Sequence, residues 1–212
     1  SRYPGAEASA RLGWWRAHRF LLLRRLCQFG VLGLFLLGPL AGVWILKGNL
    51  SSSLLLETVP LTDPLTLLQS VAAGHWPITT LWLGAGLVLL GYWLVGGRVF
   101  CSWVCPVNLV TDAAAWLRAR LGLKGNGQFN RNTRYWLLAM VLVAPAITGV
   151  LVWELVNPVS LAMRGLLFGM GAGWGLLVAL FLFDLFVVER GWCGHLCPVG
   201  AFYALVNRVG FI

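Results

Sequence analysis

Four long apolar runs, each set off by charged residues, limit what this chain can fold into more than any other feature. Leu26 to Leu46 lies between Arg25 and Lys47, Trp76 to Gly97 between His75 and Arg98, and Tyr135 to Trp153 between Arg134 and Glu154. A fourth run begins at Gly165 and is interrupted only by Asp184 before Glu189. Each holds roughly 19–24 residues, and about 20 residues at a rise of about 1.5 Å cross a hydrocarbon layer of about 30 Å. Backbone groups in lipid must pair within their own segment, which favours helices, and no run shows the short alternation of a barrel strand. Only 11% of the residues are charged and the mean hydropathy is +0.80, whereas a soluble domain is about a quarter charged. The expected fold class is therefore an all-α integral membrane protein. Four transmembrane helices follow Ser1 to Arg25, a basic N-terminal segment at the cytoplasmic interface, and the membrane domain occupies residues 26–212. The first run is too long for a signal-peptide core and lacks a small-residue cleavage site, so it reads as a retained span.

Basic residues set the expected orientation. Fourteen arginines and lysines fall in the N-terminal segment, the connection from Arg98 to Arg134 and the tail, against two, Lys47 and Arg164, on the other side. The positive-inside rule then places both termini in the cytoplasm of a bacterial inner membrane. The net charge of +9 is accounted for by this asymmetry, and nucleic acid is excluded as a partner.

The stretch "RVFCSWVCPV" at Arg98 is echoed by "RGWCGHLCPV" at Arg190. Asp63-Pro64-Leu65 and Asn157-Pro158-Val159 begin 38 and 36 residues before Cys101 and Cys193 respectively. The repetition predicts two parallel repeats with their cysteine pairs facing each other at the cytoplasmic surface. In that compartment Cys101, Cys105, Cys193 and Cys197 stay reduced, which argues against disulfides. The spacing lacks the histidine of a haem-attachment motif and exceeds the two-residue gap of thioredoxin-type pairs. Cysteines at i and i+4 share one helical face. Two pairs supply the four soft ligands of a [4Fe–4S] cluster or a tetrahedral zinc, and free reactive thiols are the remaining reading. Arg98 and Arg190, three residues before each first cysteine, are placed to offset thiolate charge. Cys27 reads as a packing residue.

Asp184 lies within the fourth run, where an ionisable group is a functional candidate for proton transfer or the partner of an arginine such as Arg24 or Arg98. His195, between the second pair of cysteines, is a candidate proton relay or an interfacial residue. Glu57, Asp63, His75 and Glu154 are the titratable groups of the outer loops, available to a quinol site open to the periplasm. Gly169, Gly171, Gly173 and Gly175 permit close helix packing. The linker Gly122 to Arg134 is flexible by composition.

The two Cys-x-x-x-Cys-Pro motifs, with "GWWRAHRFLLLRRLCQF", "SSSLLLETVPLTDPL", "WELVNPVSL" and "VVERGWCGHLCPVGA", resemble the NapH family of membrane subunits of quinol dehydrogenases serving periplasmic nitrate reductase. The resemblance covers nearly the whole chain and implies an iron–sulfur protein that oxidises quinol. Its implied partners are a periplasmic ferredoxin subunit, multihaem c-type cytochromes and the nitrate reductase complex. The family pattern continues into a C-terminal ferredoxin domain that this sequence does not contain. Two other roles compete: a non-redox membrane anchor that docks partner subunits, and a metal or thiol maturation factor.

Overall fold

The computed structural model describes residues 13–42, 44–56, 58–96, 99–123, 130, 132–169 and 171–208. Helix α1 (Trp14–Ala41) runs 28 residues and stops where Gly42 takes a left-handed φ of 72°. Three short strands follow, β1 (Leu46–Gly48), β2 (Ser52–Leu55) and β3 (Val59–Thr62), paired antiparallel in that order. Helix α2 (Pro64–Ala72) starts with a proline at its first position, where the missing N–H costs nothing. Helix α3 (Thr79–Val95) leads to a π-turn at Phe100–Val104 and then to α4 (Val107–Leu121). The second half holds α5 (Thr133–Thr148), the short α6 (Val152–Val156), α7 (Pro158–Phe168) and α8 (Gly171–Phe186). A second π-turn at Trp192–Leu196 and α9 (Pro198–Val206) complete the described elements.

This architecture corrects the expectation of four transmembrane helices in two parallel repeats. Among the described residues, α1 alone is long and apolar enough to cross a membrane. Helices α3, α5 and α8 hold 17, 16 and 16 residues, roughly 24–26 Å at the α-helical rise. The apolar runs are longer than the helices because backbone breaks fall inside them. The second run yields a helix only from Thr79 to Val95, and Gly96 then turns at φ 117°. The third breaks at Gly149 and the fourth at Gly169, both left-handed caps with φ of 67° and 66°. The halves also differ in kind, since the first brings a long helix and a sheet that have no counterpart among the described residues of the second.

The loop expected across a membrane from the cysteines folds back onto the protein instead. Strand β3 lies along α3, so closely that a Cβ on Gly84 would sit 2.7 Å from the Pro60 carbonyl oxygen. Helices α2 and α9 pack on α5, and α8 packs between α4 and α7. At the α7–α8 crossing a Cβ on Gly173 would sit 2.6 Å from the Leu161 carbonyl oxygen, whereas Gly175 faces open space. The surroundings of Gly171 lie outside the described residues. The two halves interlock in the core. Leu65, which follows Asp63-Pro64, clusters with Val199 and Tyr203 behind the second cysteine motif. Val159, which follows Asn157-Pro158, clusters with Cys105 and Val107 of the first.

Outward-facing apolar stripes remain. Leu83, Leu87, Leu90 and Leu94 on α3 are exposed, as are Trp136, Met140, Val143 and Ile147 on α5 and Trp174, Val178, Leu182 and Phe186 on α8. Spacings of three and four residues put each set on one helix face, and a contiguous apolar surface of this kind suits hydrocarbon better than water.

Because the Gly84 contact is backbone against backbone, Gly84→Ala should force β3 away from α3 at a cost of about 1–3 kcal/mol. Gly86→Ala, with nothing within 4 Å of the new Cβ, should leave stability unchanged or raise it. Thermal unfolding in detergent compares the two variants, and equal midpoints would remove the packing argument.

Candidate metal centre

Each cysteine pair is built by the same local device. In the first, the Cys105 N–H donates to the Phe100 carbonyl at 3.0 Å; in the second, the Cys197 N–H donates to the Trp192 carbonyl at 2.8 Å. These are i to i+5 bonds, so the pairs lie on π-turns and not on one face of an α-helix as the spacing suggested. Proline explains the geometry. A residue before proline is excluded from helical backbone, and Cys105 (φ −64°, ψ 120°) and Cys197 (φ −68°, ψ 114°) are both extended. The first cysteine of each pair therefore sits within the widened turn. The second stands at the mouth of the next helix, where unpaired backbone N–H groups collect. π-turns of this kind concentrate at functional sites.

The four thiols influence one another. Burial pushes the Cys105 thiol well above its ordinary range, and nearby Cys193, Cys101 and Cys197 push it further. Cys193 and Cys197 are both pushed up to about 12, chiefly by burial, with Cys197 acting on Cys193 and Cys101 on Cys197. Backbone amides oppose this rise: Val107 at Cys105, and Val199 and Gly200 at Cys197. At Cys197 they do so without forming a capping hydrogen bond. Thr111 on α4 places its hydroxyl 3.8 Å from the Cys193 sulfur, tying the second pair to the helix that follows the first. Cys27 is not among the thiols that shift these three.

This donor set suits a cluster. Thiols this reluctant to ionise become thiolates only beside a strong positive centre, and four soft donors match iron–sulfur ligation. Tetrahedral zinc takes the same four thiolates, so the donor set by itself fits either centre.

Asp184 is fully buried. Its Oδ1 accepts from the Trp192 N–H at 3.1 Å, so it fixes the start of the second π-turn. Of the arginines expected as partners, Arg24 does not pair with Asp184 and Arg98 lies outside the described residues; Arg118 donates to the Asp184 main-chain carbonyl at 2.9 Å. Arg24 instead pairs with Asp112 on α4, and the same carboxylate takes Arg25 at 2.9 Å and Arg190 at 3.2 Å. Arg190 holds a left-handed backbone at φ 52°, a strained conformation that its ion pair helps to retain. Gln28, fully buried on α1, accepts from Arg25 at 2.9 Å and donates to the Ser102 carbonyl at 3.2 Å. Helix α1 is thus pinned to the first π-turn. His195 lies half-buried within the second turn, and its Nδ1 has no partner among the described residues. Glu57, Arg98, residues 1–12 and most of the Gly122 to Arg134 linker lie outside the described residues.

Among the described residues the outer-loop groups do not form one site. His75 is exposed, and Glu154 engages Ser51 at 3.3 Å and Arg164 at 3.7 Å. Asp63 alone reaches the cysteine region. Its Oδ1 accepts from the Tyr203 hydroxyl at 3.4 Å and its Oδ2 from Thr66 at 3.2 Å. Burial raises its carboxyl to about 6 against these hydrogen bonds, and Asp63 in turn raises Cys197. Gln28 was open to detection as a lone amide inside an apolar run. Thr111 and Arg118, seven residues apart, share one face of α4, but nothing in the sequence marked that face as buried.

The 4Fe-4S binding domain matches the chain twice, over residues 78–124 and 166–212, once across each cysteine pair. The ferredoxin-type protein NapH of Escherichia coli is 58% identical over 211 residues, covering 100% of this chain and 74% of that protein. The chain belongs to the NapH family. NapH of Haemophilus influenzae is 49% identical, covering 100% of this chain and 74% of its own length. The methylamine utilization ferredoxin-type protein MauN of Methylorubrum extorquens is 52% identical, covering 98% of this chain and 72% of that protein. No solved structure matches. Like these ferredoxin-type relatives, this NapH-family chain is an iron–sulfur protein with a role in electron transfer.

In protein freed of metal and kept reduced, Cys193 and Cys197 should alkylate about 10³-fold more slowly than a free thiol at about pH 8, because a thiol raised to about 12 stays neutral there. The rate should climb about tenfold per pH unit towards that value. Differential alkylation read by mass spectrometry measures it, and labelling as fast as a peptide cysteine would contradict the buried geometry.

Proposed function

We propose that this chain is a membrane electron-transfer subunit that takes electrons from quinol. In this reading one [4Fe–4S] cluster is held jointly by Cys101, Cys105, Cys193 and Cys197. Electrons pass on to a periplasmic ferredoxin subunit and multihaem c-type cytochromes for nitrate reduction. The observation that carries the reading is the convergence of two π-turns far apart in sequence: Trp192 of the second packs against the apolar cluster that holds Cys105, and Thr111 beyond the first reaches the Cys193 sulfur at 3.8 Å. When bound, the cluster supplies one-electron transfer. The chain's own residues do the rest: the amides at the mouths of α4 and α9 face the thiolates, Asp184 fixes the second turn, and the Asp112–arginine group and Gln28 hold α1 and α4 around the centre. The apolar stripes on α3, α5 and α8 support a lipid environment, where quinol is dissolved.

The competing roles fit less well. A thiol-handling factor needs an accessible, readily ionised cysteine, and burial makes three of these four resist ionisation. A non-redox anchor has no use for three desolvated thiols gathered with a fourth. The same core occurs in a relative named for methylamine utilization, so the core dictates the transfer step and the partners set the terminal reaction.

Oxidation of one quinol to the quinone releases two electrons, which reduce one cluster on each of two copies of the chain, and two protons, which pass to the buffer. Anaerobic protein mixed with a short-chain quinol should lose its visible iron–sulfur absorption and regain it on addition of an oxidised c-type cytochrome. If dithionite bleaches the centre while quinol of suitable potential does not, the quinol assignment is wrong and the electron donor is another protein.

A further inference from the structure

A cavity of about 420 Å³ opens beside the first cysteine pair, within the size range of small-molecule sites. Its walls come from α1, the sheet, α3, the first π-turn and α9. Phe100 and Val104, which immediately precede Cys101 and Cys105, are part of its lining. The cavity is therefore formed in part by the backbone segment that carries the cysteines.

The lining is not uniformly apolar. Three aromatic rings meet at it: Tyr92 and Tyr203 are 5.2 Å apart, Phe100 and Tyr203 5.5 Å, and Tyr92 and Phe100 5.8 Å. Asp63 also lines it, steadied by the Tyr203 hydroxyl. Burial pushes the Tyr203 hydroxyl up, so it remains a protonated donor to that carboxylate. Next to Asp63, the buried Thr62 hydroxyl lines the same cavity without a partner among the described residues. That hydroxyl oxygen is turned towards α3, 3.1 Å from where a Cβ on Gly84 would stand, so Asp63 and Tyr203 form the polar end of the cavity. The remaining wall is mostly valine and leucine, suited to an apolar tail. Gly91 contributes open space, since a Cβ at that position would meet nothing within 4 Å.

We infer that this cavity is the binding site for the ring of a quinol or quinone, with Asp63 accepting a hydrogen bond from a ring hydroxyl and Tyr203 positioning Asp63. The inference rests on the quinol reading above and assigns it a location. Aromatic walls hold the flat ring, and a carboxylate acceptor favours the hydroxyl-bearing form over the dione.

The probe is a fluorescent quinol-site inhibitor, 2-heptyl-4-hydroxyquinoline N-oxide, titrated by quenching against the purified, metal-loaded chain. One site per chain is expected. Gly91→Phe projects a ring from the cavity wall, its Cβ meeting no atom within 4 Å, and should abolish binding. Asp63→Asn should weaken it about tenfold or more, since a hydrogen bond to a charged group is lost. Tyr203→Phe should weaken it less, and Asp63→Glu should restore part of the loss. The iron–sulfur spectrum and thermal midpoint establish that each variant is folded. A photoreactive azidoquinone provides a second measurement and should label the peptide spanning residues 88–104. Tight inhibitor binding that survives Gly91→Phe, or labelling confined to other peptides, would overturn the location. Those results are separate from failure of the functional reading. A chain that binds the inhibitor but holds no iron keeps the pocket and loses the electron-transfer role. A chain that is reduced by quinol yet indifferent to Gly91→Phe keeps the role and loses the pocket.

Discussion

Three thiols that resist ionisation, gathered with a fourth, are the constraint on which the rest of the fold depends. Burying a group that must function as an anion is costly unless charge or hydrogen bonds compensate. The chain supplies part of that compensation through helix mouths. Proline after the second cysteine of each motif forces an extended residue there. The following helix begins at once, directing amides towards the sulfur. In the proposed reading a metal cluster would supply the larger share of that compensation.

The surrounding contacts serve to bring the two turns together and keep them so. Asp184 and Arg118 bind the second turn to α4, Thr111 reaches from α4 to Cys193, and Gln28 ties α1 to the first turn. Asp112 gathers three arginines from two distant segments onto one largely buried carboxylate. Such a group is worth more than an isolated surface pair because its members are partly desolvated. The crossed packing of Leu65 and Val159 means that neither cysteine turn is supported by its own half alone.

The chemistry was more legible in the sequence than the architecture. Cys-x-x-x-Cys-Pro twice over offered four candidate thiol ligands, and the family resemblance, shown by the comparisons, followed from the same residues. Helix lengths misled because charged residues bound an apolar run, whereas glycines in left-handed conformations bound a helix, and Gly149 and Gly169 both fall inside runs. The return of β3 and Asp63 to the cysteine region depends on a close approach at Gly84, which composition does not reveal. Spacing suggested an α-helical face for each pair, but a proline at the next residue excludes that geometry, and this much was available in the sequence. Asp112 and Tyr203 carried no signal of their own, since their roles arise from partners more than 75 residues away in sequence.

Metal content with spectroscopy on single-cysteine variants tests the shared centre most directly. Anaerobically purified protein should hold about four iron atoms per chain and no stoichiometric zinc. Cys105→Ser and Cys197→Ser, one from each turn, should each abolish the same dithionite-reduced paramagnetic signal completely. Two independent signals, each lost with one variant alone, or one zinc per chain without iron, would contradict a single cluster held by both pairs.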